Sequence, residues 1–446
     1  MRVHRLLPLT ALTVAMAGLV NVTYGADLLS LYREAAAQDP AMAAARASLS
    51  AARERVAQAE GSNGFATGVA AGANANYFDL HVRNLPQAQT DRAYLAANVQ
   101  AFVNKPLYRP ANDAAIEQAN VAVKLSELSL KAAEMDVANR LAQAYFDVLL
   151  AQDNVRLVEA QKAALSEQLA QAKRNFEVGT ATIVDTNEAQ SRYDQVLAQE
   201  ISARNEVDRT RWALRNVVGR FETNLKTLRG NAQVSLPTPA SMEAWVSRAE
   251  REAYPVQIAQ QTLAVSEYDV KRAEAAKSWT LDATANVSHT QSSGSSTSGL
   301  GTWTYAGLVG VTLNLPFDTT GGLSARIRET LALVDKNRND LETARRTAGL
   351  SVRQAYLGVT SGVAGVAAQQ QALKSAETQL ASTKLGLEVG VRTNLDVLNA
   401  QQQVTQVQRD LAQARYNTLL NDLRLKAATG VLGENDLRAT NAYLTD

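Results

Sequence analysis

Few side chains in this sequence could carry covalent or metal chemistry. No cysteine occurs in its 446 residues, which removes thiol nucleophiles, disulfides, thiolate metal sites and cysteine-linked lipid anchors. The histidines are His4, His81 and His289, widely spaced and without cysteine partners, so they read as interface or loop residues rather than metal ligands. Gly299-x-Gly301 lacks the third glycine and the following helix of a phosphate loop. Tyr145 and Tyr356 lie in helical pattern and are duplicated, which points to packing. No catalytic residue, metal or cofactor is expected. What remains is a pair of similarly built clusters, Gly179 followed by Thr182-x-x-Asp185 and Gly390 followed by Arg392 and Thr393-x-x-Asp396. A glycine can take the left-handed conformation that ends a helix, and Thr as N-cap with Asp at N3 opens the next. The bland role of Asp185 and Asp396 is therefore capping plus the helix dipole. The functional role is electrostatic: a carboxylate repeated around a symmetry axis attracts cations and resists full ionisation beside its copies.

These clusters belong to a duplication. Residues Arg174 to Gly219 and Leu385 to Gly430 align without a gap at an offset of 211, with Gly179 on Gly390. Ala144-Tyr145 falls on Ala355-Tyr356 in the same register, and Asn104-x-Pro106 meets Asn314-x-Pro316 one residue short of it. Solenoid units run about 20 to 50 residues, so this longer period marks a duplicated half-protein. The first repeat is read as 26–219, a linker as 220–240, the second repeat as 241–430 and a tail as 431–446. Ahead of them, Arg2 and Arg5, the apolar run Leu6 to Val20 and the small residues up to Gly25-Ala26 read as a secretory signal peptide over 1–25. The 45 basic residues balance 44 acidic ones, which gives no reason to expect a nucleic-acid partner. No apolar stretch of about 18 residues follows the leader, so no transmembrane helix is expected.

Most of the mature chain has helical periodicity. Ala111 to Glu177 contains neither proline nor glycine and predicts one helix about 100 Å long. Leu323 to Glu388 is its counterpart. Ile183 to Val218 and Asn394 to Thr429 predict helices of about 54 Å, and Asp27 to Glu60 and Ser241 to Lys277 predict further ones broken at Pro40 and Pro255. Such lengths suggest a rod of packed helices. Between them lie alternating stretches at 65–105 and 279–315. Ala93, Leu95, Ala97, Val99, Ala101 and Val103 share one face, as do Trp303, Tyr305, Gly307, Val309, Val311, Leu313 and Leu315. Each run approximates the 9 to 11 residues of a membrane-spanning strand, with Phe65, Tyr77, Trp279, Trp303 and Tyr305 near strand ends as an interfacial girdle requires. His81 to Arg92 and Thr290 to Thr302 read as exposed hairpin loops. A water-soluble sheet is the alternative, but the flanking helices offer too little apolar surface to cover one. Four strands fall short of the roughly eight that close a membrane barrel, and an open edge in lipid is forbidden, so the barrel must be shared between chains.

The residues also resemble a known family, the TolC-type outer-membrane channel proteins. The resemblance rests on Leu28-Leu29-x-Leu31-Tyr32-x-x-Ala35 with Asp39-Pro40, the two repeats, the tail Gly430-Val431-Leu432-x-Glu434-x-Asp436-Leu437 and above all Glu388 to Ala400. It implies a mainly α fold with membrane β-strands: a homotrimer whose long helical hairpins form a periplasmic tunnel continuous with a shared twelve-stranded barrel in outer-membrane lipid. Arg220 to Ala240 and the tail would form an equatorial collar. Such channels are exit ducts for tripartite efflux pumps or type I secretion, working with a periplasmic adaptor and an inner-membrane ABC or proton-driven transporter. The absence of cysteine fits the non-acylated branch. Small, equivalent residues at the tips, Val178, Gly179, Thr180, Val389, Gly390 and Val391, are the expected adaptor contact. The family's gate arginine corresponds to Arg392, with Asp185 as its partner at the matching first-tip position and Asp396 as an acidic ring. The family's gate tyrosine is replaced by Leu387 and its second acidic ring by Asn399. A periplasmic coiled-coil adaptor or a structural protein of the envelope is the alternative function.

Overall fold

The computed structural model describes residues 25–80, 90–222, 224–230, 234–295 and 299–445; residues 1–24 of the expected leader, with His4, and His81 lie outside the described residues. Two helices dominate, α3 (Pro110–Glu177) and α7 (Gly322–Glu388), of 68 and 67 residues, each about 100 Å long at 1.5 Å per residue. The shorter helices are α1 (Leu28–Gln38), α2 (Pro40–Gly61), α4 (Ile183–Val218), α5 (Met242–Glu252), α6 (Tyr254–Ala275), α8 (Asn394–Ala428) and α9 (Glu434–Asn441). The break between α1 and α2 has a local cause. Pro40 cannot donate to the preceding turn, and the Asp39 carboxylate re-starts the chain by accepting from the N–H groups of Ala41 at 2.8 Å and Met42 at 3.1 Å. Pro255, in the first turn of α6, likewise breaks the chain between α5 and α6, but there no side chain caps the new helix. In consequence α2 and α4 lie on α3, and α6 and α8 on α7, while α3 also packs on α6 and α8 and so joins the repeats.

The two largest buried clusters sit at mid-length, and smaller ones such as Val158, Leu165, Val196 and Leu398 continue towards the tips. Leu28, Leu31, Leu141, Tyr145, Phe146, Leu149, Leu423 and Leu437 form one continuous buried cluster from α1, α3, α8 and α9. Full burial of such a side chain contributes about 1.5–3 kcal/mol. A second cluster joins Trp245 and Val246 of α5 to Val352 and Val359 of α7. The duplicated tyrosines have duplicated work: Tyr145 donates its hydroxyl to the carbonyls of Ala26 and Lys226, and Tyr356 donates to that of Ala240 at 2.7 Å. They tie the segments between repeats to the two long helices. At the same level Ala26 bridges to Leu225 and Leu228 to Leu444, and Arg33 pairs with Glu434 at 3.0 Å.

The four strands, β1 (Ala66–Leu80), β2 (Thr90–Tyr108), β3 (Thr280–Ser292) and β4 (Thr302–Asn314), form one antiparallel sheet in the order β1-β2-β3-β4. The central pairing, β2 with β3, crosses between the repeats, and β1 and β4 are left as edges. Register preserves the alternation across every strand: Val69 lies beside Ala101 and Ala101 beside Val287, while Thr67, Val103, Ala285 and Val309 form the neighbouring row. The apolar members of these rows are open to the surroundings, Val69 by 75 %, Val287 by 64 % and Val309 by 86 %. Gly72, Asn98, Thr290 and Thr304 make a row on the opposite, polar face. At 15, 19, 13 and 13 residues the strands outrun the expected 9 to 11. Apolar alternation marks only the middle of each strand, whereas the ladder continues through polar ends such as Asp79 opposite Asp91.

Candidate functional site: helical tips and the outward face of the sheet

The two tips at the end remote from the sheet are near copies. Two residues past the ends of α3 and α7 stand Gly179 and Gly390, both at φ +78°, the left-handed region in which a Cβ is strained. Thr180 N–H then returns to the Asn175 carbonyl, and Val391 and Arg392 N–H to that of Gly386. Each following helix opens with a complete capping box. The Asp185 carboxylate accepts from Thr182 N at 2.9 Å and from its hydroxyl at 2.7 Å, while Asp185 N donates back to that hydroxyl oxygen. Asp396 has the same bonds to Thr393, both at 2.9 Å. The Thr182 hydroxyl, then its backbone N–H, holds Asp185 below the ordinary carboxylate range. For Asp396 the Thr393 N–H leads, the hydroxyl follows, and Arg392 adds a smaller electrostatic pull. Within one chain both aspartates are thus capping groups.

Arg392, in the turn between α7 and α8, packs its stem against the last turn of α7. A Cβ on Gly386 would lie 2.7 Å from the Arg392 Cγ, so that glycine makes room for the arginine stem. Among the described residues the guanidinium has no hydrogen bond or ion pair, and one chain does not join it to Asp185. The neutral position Asn399 is engaged instead by a residue that sequence reasoning passed over: Arg192 of α4 donates to the Asn399 side-chain carbonyl at 3.2 Å and to that of Gln402 at 3.0 Å. Farther along, Arg409 of α8 reaches Gln161 at 3.4 Å and Gln199 at 3.5 Å, with burial pushing its pKa down. Leu387 is half-buried. The tip surfaces are apolar: Val178 is 73 % exposed, Val389 66 % and Val391 75 %.

At the other end, aromatic side chains bound the apolar face. Near the helices Tyr108 stacks on Trp279 at 4.2 Å and Lys105 lies over Phe65. Towards the far rim, His289 stacks on Tyr305 at 4.4 Å and Trp303 meets Tyr305 edge-on. The histidine expected at an interface is therefore packed in an aromatic row. Arg109, ahead of α3, makes a bidentate pair with Asp282 of β3 at 2.9 and 2.8 Å, which fixes the first repeat's long helix to the second repeat's strand. No described helix is long and apolar enough to cross a membrane; the outward face of the sheet is the surface that can meet lipid.

Comparison with known proteins agrees with this geometry. The sequence pattern of the outer membrane efflux protein family matches residues 31–220 and 245–431, one match in each repeat. Outer membrane protein TolC of Vibrio cholerae is 29 % identical over 443 residues, covering 99 % of this chain and 98 % of that protein. Alkaline protease secretion protein AprF of Pseudomonas aeruginosa is 32 % identical over 320 residues, 71 % of this chain and 66 % of that one. Among solved structures, the CmeC outer membrane channel of Campylobacter jejuni superposes with a TM-score of 0.78 over 93 % of this chain and 89 % of that chain, at 14 % identity.

Proposed function

Because this chain belongs to the outer membrane efflux protein family, we propose that it is the outer-membrane exit duct of an efflux pump or a type I secretion system, working as a trimer. The observation that carries the trimer is the sheet, with an apolar face open to the surroundings and unpaired edges on β1 and β4. Lipid tolerates neither edge, and three copies of four strands close a barrel with a water-filled lumen. The helices below then line a periplasmic tunnel about 100 Å long. Cross-linking in outer membranes tests the reading: products should stop at three subunits, and a dominant dimer or monomer would reject it.

The tips supply the periplasmic partner surface. Val178, Gly179, Thr180, Val389, Gly390 and Val391 end the rod in two equivalent places, and their exposed valines suit an adaptor that bridges to an inner-membrane transporter. The tips also supply the gate. A guanidinium without an acceptor among the described residues of its own chain suits a bond across the subunit boundary, from Arg392 to the neighbouring copy of Asp185. Charge-assisted, potentially bidentate bonds of that kind hold a narrow, partly dehydrated opening better than neutral ones.

A further inference from the structure

Asp396 is the acidic tier of the expected entrance, and Asn399, one turn farther along α8, occupies the place of a second tier. Arg192 is bonded to that place. Its acceptors, Asn399 and Gln402, are both neutral amides, so these bonds fix the guanidinium in place without cancelling its charge. Glu188, one turn earlier on α4 and spaced for an i, i+4 pair, is not bonded to it, and among the described residues Arg192 has no ion pair. Asp194, the nearest acid beyond it on α4, accepts from Gln190.

We propose that Arg192 is a selectivity-determining residue of the duct: it sets a basic tier beside Asn399, so that the periplasmic entrance passes anions and cations at comparable rates. The reasoning rests on the trimeric duct and on Asp396 and Asn399 facing its lumen. Three residues along a helix are about 4.5 Å, shorter than the Debye length of about 8 Å at physiological salt, so a permeating ion feels both tiers together. Three Asp396 carboxylates are then offset by three guanidiniums, and Arg392 beside Asp396 weakens the acidic tier further. A duct of this kind admits substrates bearing carboxylates or phosphates as readily as cationic ones.

Reversal potentials across planar bilayers in a KCl gradient test this with the full-length trimer. Wild type should show potassium and chloride permeabilities within about twofold of one another. Arg192→Gln, which removes the charge, and Asn399→Asp, which neutralises it in place, should each raise the potassium preference at least about threefold, while Arg192→Lys keeps the wild-type ratio. The two routes are independent, so a failure of one variant to assemble leaves the other decisive. A strongly cation-selective wild type, or an unchanged ratio in an assembled Arg192→Gln or Asn399→Asp trimer, overturns the assignment. A wild-type protein that forms no pore overturns the duct reading beneath it.

Discussion

The outward face of the sheet can be tested with one pair of neighbouring residues. Val309 lies near the middle of β4, belongs to the row of Thr67, Val103 and Ala285, and is 86 % exposed. Leu308 precedes it, points to the opposite face beside Asn286 and is 61 % exposed. An arginine on the lipid face at the bilayer midplane costs about 2–4 kcal/mol, and since Val309 already faces outward, little packing is lost with it. At 1.4 kcal/mol per tenfold that is about 30- to 700-fold per subunit, repeated in three copies. In a water-filled lumen the same substitution at Leu308 costs almost nothing. Quantifying heat-resistant trimers in outer-membrane fractions should therefore show Val309→Arg nearly abolished and Leu308→Arg close to wild type. Equal assembly of the two, or the reverse order, would refute the assignment of faces.

Three further outcomes are expected at the tips. Gly179→Glu and Gly390→Glu, each forcing a side chain onto a φ of +78° at a cost of about 1–2 kcal/mol, should stop export in a secretion assay while trimers still assemble; unchanged export would remove these positions from the adaptor contact. Arg392→Ser should raise resting conductance and sensitivity to large antibiotics, and Asp185→Ala should do the same with little added in the double variant; additive effects would show that the two do not act on each other. Asp185 and Asp396 have folded pKa values below their unfolded ones, so their stabilising contribution is full above about pH 4 and is lost as pH falls through the depressed folded values. Hydrogen exchange at the tip amides, corrected for intrinsic rates, should accelerate in that acid window, and Asp396→Asn should flatten the second tip's response.

The elements were legible because their periodicities are long and their punctuation is local. Helix α3 starts one residue before the expected Ala111 because Pro110 can occupy the first helical turn, and it ends at Glu177, just ahead of Val178 and the left-handed Gly179. Strand faces were legible for the same reason, since a period of two that holds for ten residues leaves one assignment. Strand lengths were not, because a ladder continues through polar residues that carry no alternation. The capping role of both aspartates was visible in Thr-x-x-Asp. The position of Arg392 was not, because the room it occupies is made by Gly386, a helix interior glycine whose purpose only the folded tip displays.

Arg192 was missed for a reason that the duplication itself could have cured. Helices α4 and α8 both begin at a tip and occupy equivalent places in the two repeats. Where they meet, the duplication brings related positions together. The bond from Arg192 to Gln402 and the bond from Arg409 to Gln199 each span 210 residues, one short of the repeat offset, and that from Arg192 to Asn399 spans 207. An arginine in one repeat therefore faces an amide at nearly its own position in the other. Complementary side chains at matching places in the two repeats, as well as identical ones, put Arg192 beside Asn399 from the sequence alone. The amide at Asn399 and the arginine at Arg192 then form one local feature: a carboxylate at 399 would turn the present hydrogen bond into an ion pair and cancel the guanidinium's charge.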